Sequence, residues 1–301
     1  MVKSNKLPTP MKKSSILLIA LVLSTSTLWA GGPWTQKKGK GYFKLSEWWI
    51  IFNQHYTDAG LIDPNITTGI FNTTFYGEYG LSDRFTTMLY VPLLSRNYMN
   101  NLVSSTTGET LIPGEAINTL GDTDLGFKYS LTKPGSKWPV AATLTLGIPT
   151  GTPVAGSLNN LQTGDGEFNQ ILQVDAGRSF QIKKKVNSYV SGYVGFNHRT
   201  NGFSEEFRYG IETGVGLFNS KLWLIARLLG VESFKNGATA ETVTSTSLFA
   251  NNTEYTSYSF EAAYYVQKRV GFSFSYASAF RGEIIAAAPT YSVGVFYDLS
   301  R

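Results

Sequence analysis

The sequence predicts an all-β chain, a transmembrane antiparallel β-barrel of about twelve strands, with short periplasmic turns and longer extracellular loops. Three observations carry this prediction. Alternating segments recur along the chain, each about ten residues long, the length of a transmembrane strand. The connections between them alternate between short and long. Each segment has one apolar face and one face of small, polar or charged residues, which suits lipid outside and water within.

The stretch Leu120–Pro149 shows the unit most plainly. In its first arm Leu125, Phe127, Tyr129 and Leu131 share a face, opposite Asp122, Asp124, Lys128 and Ser130. In its second arm Val140, Ala142, Leu144, Leu146 and Ile148 oppose Thr143, Thr145 and Gly147. Composition agrees with the pattern. The chain has no Cys, which removes disulfides and thiolate sites, and its 16% charged and 14% aromatic residues suit β-structure. A mean hydropathy of −0.09 is too low for a helical membrane protein, whereas alternating strands average to such a value.

Residues 1–30 read as an export signal, leaving 31–301 as a single barrel domain. Lys12 and Lys13 supply the positive start, Ile16–Leu23 the apolar run, and Ala30 the cleavage residue before Gly31. The run is far short of the ~20 residues of a helical span. Lys3, Lys6, Lys12 and Lys13 account for most of the formal charge of +5, so the remainder is close to neutral. It carries no basic stripe, and no nucleic-acid partner is expected.

Beyond the leader, strands are predicted near 40–54, 67–80, 84–97, 119–131, 138–149, 167–180, 186–198, 205–218, 221–233, 253–266, 269–281 and 289–299. An even number places both termini on the periplasmic side. The first strand has Trp48, Trp49, Ile50 and Ile51 apolar on both faces, which a bulge at that point would explain. Trp34, Tyr42, Trp138, Tyr189, Trp223 and Tyr297 fall near strand ends, as interfacial girdles do. The chain finishes Ser300–Arg301, so the barrel-assembly machinery would read Phe296 or Tyr297 instead of a terminal aromatic residue.

The phase of the strands turns Glu78, Asp122, Asp124, Lys128, Asp175, Arg208, Glu212, Arg227, Glu261, Arg269 and Arg281 into the lumen. These residues line a pore of nearly balanced sign, or hold a narrow barrel shut through salt bridges. Twelve strands give a backbone diameter of roughly 24 Å, and side chains leave on the order of 10 Å, room for small solutes only.

The run GDTDLGFKYSL from Gly121, a strand closing on LGIPTG, and TGDGEFNQILQVDAG from Thr163 resemble a known family. It is the transporter-like outer-membrane β-barrel family named for the meta-pathway of phenol degradation (MetA). The resemblance covers roughly residues 40 to 299. It implies a bacterial outer-membrane barrel that passes small apolar or aromatic molecules, and it carries over no catalytic residue.

Other motifs have weaker readings. His198 and Thr200 share a face, the spacing of a general base beside a hydroxyl nucleophile in outer-membrane phospholipases. Thr stands where those enzymes have Ser, and a polar strand end accounts for the segment. Asp122 and Asp124, with Asp165 and Glu167, could hold Ca²⁺, but turn chemistry explains them and the spacing of a calcium loop is missing. His55 and His198 lack metal-ligand spacing. The expected function is therefore passive passage of a small-molecule solute through an outer-membrane barrel surrounded by lipid, with no enzyme activity, cofactor or metal. The alternatives are a barrel without an open pore that binds a partner through its loops, and a lipid-modifying enzyme at His198.

Overall fold

The computed structural model describes residues 32–183, 185–238 and 249–301. The segment expected to be an export signal, and the centre of the predicted loop at 234–252, lie outside the described residues.

Twelve long strands follow one another around a closed wall. They are β1 (Gly41–Tyr56), β2 (Ile62–Ser82), β3 (Phe85–Met99), β4 (Thr123–Ser130), β5 (Val140–Ile148) and β6 (Asn169–Ile182), then β7 (Val186–Arg199), β8 (Glu206–Leu217), β9 (Leu222–Ser233), β10 (Glu254–Tyr265), β11 (Val270–Glu283) and β12 (Thr290–Asp298). All adjacent pairs are antiparallel. β1 closes the barrel by pairing with β2 on one edge and β12 on the other, from Tyr42↔Asp298 to Ile50↔Thr290. Closure gives the strand backbones partners without an exposed edge, which is what allows a sheet to stand in hydrocarbon.

The faces follow the alternation. Leu172, Ile211, Phe272 and Phe274 are about half exposed on the outer surface, while Thr143, Thr145, Ser259 and Ser275 are buried within. An outer apolar band around a polar interior is a membrane-spanning architecture. Short connections (83–84, 183–185, 218–221, 266–269) lie at one end, called here the turn side. The longer ones (100–122, 149–168, 234–253) lie at the other, the loop side.

Three expectations need correction. β1 has no bulge at Trp48–Ile51; its irregularity comes later, between Phe52 and Gln54. The inward Ile50 and Phe52 are apolar because they pack with Ile70 and Ala286, and with Trp48 and Ala288, into a cluster inside the barrel. The first long loop shrinks to residues 57–61, because the β1–β2 hairpin continues past that bulge through Gln54↔Pro64 and Tyr56↔Ile62. The third correction concerns the girdle. Only Trp138 and Tyr297 stand exposed on the outside. Tyr42 stacks on the buried Phe296, and Tyr189 meets Trp34 and Trp223 inside the turn end. Each alternates with an outward neighbour, so proximity to a strand end does not fix the face.

Candidate solute pathway through the lumen

The segment before β1 folds into the lumen at the turn side. Pro33 is fully buried there, and Trp34 meets the Tyr189 ring edge-on at 5.5 Å. Gly177 on β6 makes the room: a Cβ at this position would come within 3.0 Å of Pro33 and Trp34. Gln36 donates its backbone N–H to Thr86 Oγ1 (2.8 Å) and its Nε2 to Glu78 (2.9 Å). Thr35 donates to the Asp83 carbonyl, Lys38 N–H to the Asp83 carboxylate, and Ser300 to Gln36 Oε1. Residues 33–38 thus bridge from the β6–β7 wall to the β2–β3 turn and the chain's far end. No periodicity marks them, which is why the sequence reading missed them. The signal available was an apolar Pro33–Trp34 pair shortly after the expected leader.

Above this segment the inward charges form a lattice. Lys44 Nζ binds Glu261 Oε1 at 2.9 Å, and Arg227 Nη2 binds Glu261 Oε2 at 3.0 Å. Arg227 Nε donates to Glu212, whose other oxygen accepts from Tyr189 at 2.6 Å. The lattice joins β1, β7, β8, β9 and β10. Glu78 accepts from Tyr76 and Gln36, and Asp175 accepts from Gln173 at 2.8 Å. Lys128 is buried on the inner wall. Of the lumen-facing charges expected from the sequence, Glu78, Lys128, Asp175, Glu212, Arg227 and Glu261 lie inside, as do Asp122, Asp124 and Arg208 around the cavity described below; Lys44 joins them without having been expected.

Arg269 and Arg281 sit elsewhere. Arg269 is at the turn-side rim, donating to the Arg301 carbonyl at 2.9 Å. Arg281 is half exposed at the loop-side rim and pairs with Glu232, not with the lumen. The cause is a bulge: Thr256 pairs with Arg281 but Ser257 with Ala279, so Phe280 is the extra residue and resets the phase of β11.

Between the lattice and the loops lies a chamber of about 320 Å³. Its apolar and aromatic lining includes Trp48, Tyr76, Tyr90, Ile171, Val231 and Tyr255, and its polar lining includes Asn72, Ser259, Thr290, Asp124 and Arg208. Trp48 Nε1 donates to the Tyr90 hydroxyl at 3.2 Å. A smaller cavity of about 70 Å³, reaching down to Gly32, lies against Asp175, Glu212 and Arg227.

The chamber's upper edge is set by the 149–168 loop, which folds inward. Leu161, Thr163 and Glu167 are almost fully buried. Asn97 donates to the Gln162 carbonyl at 2.9 Å, and Asp122 accepts the N–H groups of Gly151 (2.9 Å) and Asp165 (2.8 Å). Arg199 locks the loop to the wall through Glu167, Glu206 (2.9 Å) and Asp165 (3.5 Å), its guanidinium 4.6 Å from the Phe203 ring. Of the acidic residues considered for Ca²⁺, Asp122 is thus held by backbone N–H groups and Asp165 and Glu167 by Arg199, while Asp124 lines the chamber. Among the described residues no group of three or more His, Asp or Glu is arranged to hold a metal. Arg199→Met removes the shared cation, and the 149–168 loop of the folded protein is then expected to become sensitive to proteinase K. Unchanged fragment patterns would show that Asp122, Asn97 and the other loop contacts hold it without the arginine.

His198 lies on the exposed rim. Its Nδ1 meets Glu205 at 2.9 Å, and this bond, with one from Asn236, holds the Glu205 carboxyl below its usual range. Thr200 Oγ1 accepts the Phe168 N–H at 2.8 Å, so the residue serves loop geometry. The structure gives each of the two its own local partner.

Solved structures share this architecture. The COG4313 outer membrane channel from Pseudomonas putida F1 superposes with a TM-score of 0.55 at 14% identity, over 89% of this chain and 98% of that one. The NanC porin and the KdgM porin each reach 0.45, at 9% and 8% identity, over 85% of this chain and 98% of theirs. No protein-family model matches the sequence, and no curated protein does. The fold is therefore that of bacterial outer-membrane β-barrels, closed by twelve strands. The resemblance to the meta-pathway family rests on its motifs.

Proposed function

We propose that this chain is a bacterial outer-membrane channel for passive passage of small, uncharged, apolar or aromatic solutes. The observation that carries the reading is the chamber, with Trp48, Tyr76 and Tyr90 beside hydroxyl, amide and charged groups inside a closed barrel. Aromatic walls with a few polar groups are the usual make-up of a small-molecule site. The turn side is read as periplasmic and the loop side as extracellular. At rest, residues 33–38 and the charge lattice close the axial route.

Single-channel recording in planar bilayers tests this reading. Small, infrequent steps are expected from the intact protein, with reversal potentials in a salt gradient close to zero, because acids and bases on the inner wall nearly balance. Strong selectivity for either sign would contradict that lining. A silent barrel even after residues 33–38 are removed would favour the second reading, a closed barrel that acts through its loops; the sealed floor is what speaks for it.

A further inference from the structure

Among the described residues the ladder between β3 and β4 is interrupted partway along, as is the β1–β12 seam between Ile50↔Thr290 and His55↔Ala286. β3 pairs with β4 up to Tyr90↔Asp124, and with the short strand Glu115–Thr119 from Ser95↔Thr119 onward. Both ladders keep one register, so no residue is inserted or lost. The residues between them, Val91–Leu94 and Leu120–Thr123, form no paired stretch. The cause is local. Pro92 has no N–H to give. Gly121 and Asp122 are turned toward the inward loop: the Gly121 carbonyl accepts from Thr150 at 2.6 Å, and the Asp122 carboxylate accepts from Gly151 and Asp165. One backbone bond, from Gly121 N–H to the Pro92 carbonyl at 3.0 Å, bridges the interruption. On its other edge β3 is irregular too. Thr73 pairs with Leu94 and Thr74 with Pro92, leaving Leu93 bulged.

The two sides of this interruption differ in chemistry. Inside, Tyr90, Pro92, Asp122 and Asp124 line the chamber. Outside, Leu93, Leu94 and Leu120 stand about half exposed, midway between the outward rings of Phe85 and Tyr98 at the two ends of β3. The seal between them is the Pro92 ring against Gly121, where a Cβ would come within 2.7 Å of that ring. In a barrel wall, missing ladder bonds cost free energy because lipid offers no replacement partner. Here the interruption lies beside the aromatic-walled chamber described above.

Resting on the channel reading above, we propose that the Pro92–Gly121 interruption is a lateral portal. An uncharged apolar solute enters the chamber from the loop side and leaves between β3 and β4 into the membrane. The closed floor makes this route the shorter one, since leaving sideways requires no displacement of residues 33–38. Transfer from an aqueous chamber to lipid is downhill for apolar surface and uphill for charge, so the portal selects against ions.

A disulfide across the interruption, L94C with L120C, tests the portal in intact cells, whose lipopolysaccharide leaflet slows apolar dyes. Uptake of N-phenyl-1-naphthylamine is read by fluorescence. The axial path is read separately, as planar-bilayer conductance of the same variant lacking residues 33–38. Oxidation is expected to reduce dye uptake to the level of cells without the protein, with recovery on reduction and no change in axial conductance. Uptake unaffected by a formed disulfide overturns the portal and leaves the axial channel standing. No dye uptake from the reduced protein together with no axial conductance overturns both. Should the cysteine pair not form, Pro92→Val supplies the missing N–H donor: dye uptake falls if the portal exists and is unchanged if it does not.

Discussion

Removing residues 33–38 is expected to raise single-channel conductance by on the order of tenfold, because side chains of a twelve-stranded barrel leave a lumen of roughly 10 Å when nothing else fills it. The segment holds its place through Pro33 and Trp34 against Gly177 and Tyr189, and through Gln36 on Thr86 and Glu78. A less drastic change has the same direction. Trp34→Ala with Gln36→Ala deletes the ring contact and the side-chain hydrogen bond to Glu78, so openings should become longer and more frequent. The strands themselves lose no ladder bond, and migration of the unheated, folded protein on gels should not change. A truncated barrel that conducts no better than the intact one would mean that the charge lattice alone closes the lumen.

The lattice is the second place where a single substitution should act strongly. Arg227→Leu strands Glu212 and leaves Glu261 with Lys44 alone, in surroundings where all four side chains are nearly buried. Removing one partner of a buried ion pair typically costs about 3–5 kcal/mol, since the remaining charge stays desolvated. Urea unfolding of the protein in lipid vesicles should show a midpoint lowered accordingly. The double variant Arg227→Leu with Glu212→Gln removes the stranded charge and should recover a large part of the loss. If the double variant is as unstable as the single one, the arginine contributes through packing and not through pairing.

The legible and illegible parts of this protein divide by the distance over which the information acts. Period-two alternation is written residue by residue, so the strands around Leu125–Leu131, Phe207–Leu217 and Val270–Tyr276, and the face of nearly every charge on them, could be read directly. A bulge breaks that rule without leaving a mark, and so Arg281 was assigned to the lumen although Phe280 turns it to the rim. The motif GDTD was legible as a strand start. Its use was not, because Asp122 acts on Gly151 and Asp165, partners that only the folded loop brings near.

The sequence by itself determined the barrel: its twelve strands, its wet and dry faces and its turn side. Tertiary structure decided what fills the lumen and where the wall is weak. Pro33 is buried and Trp34 half-buried only because Gly177, Ser191 and Tyr189, some 140 residues or more away along the chain, enclose them. The interruption at Pro92 combines a residue without an N–H, visible in the sequence, with an inward loop that claims the polar groups of Gly121 and Asp122, which is not. Both depend on long-range enclosure, which no local pattern encodes.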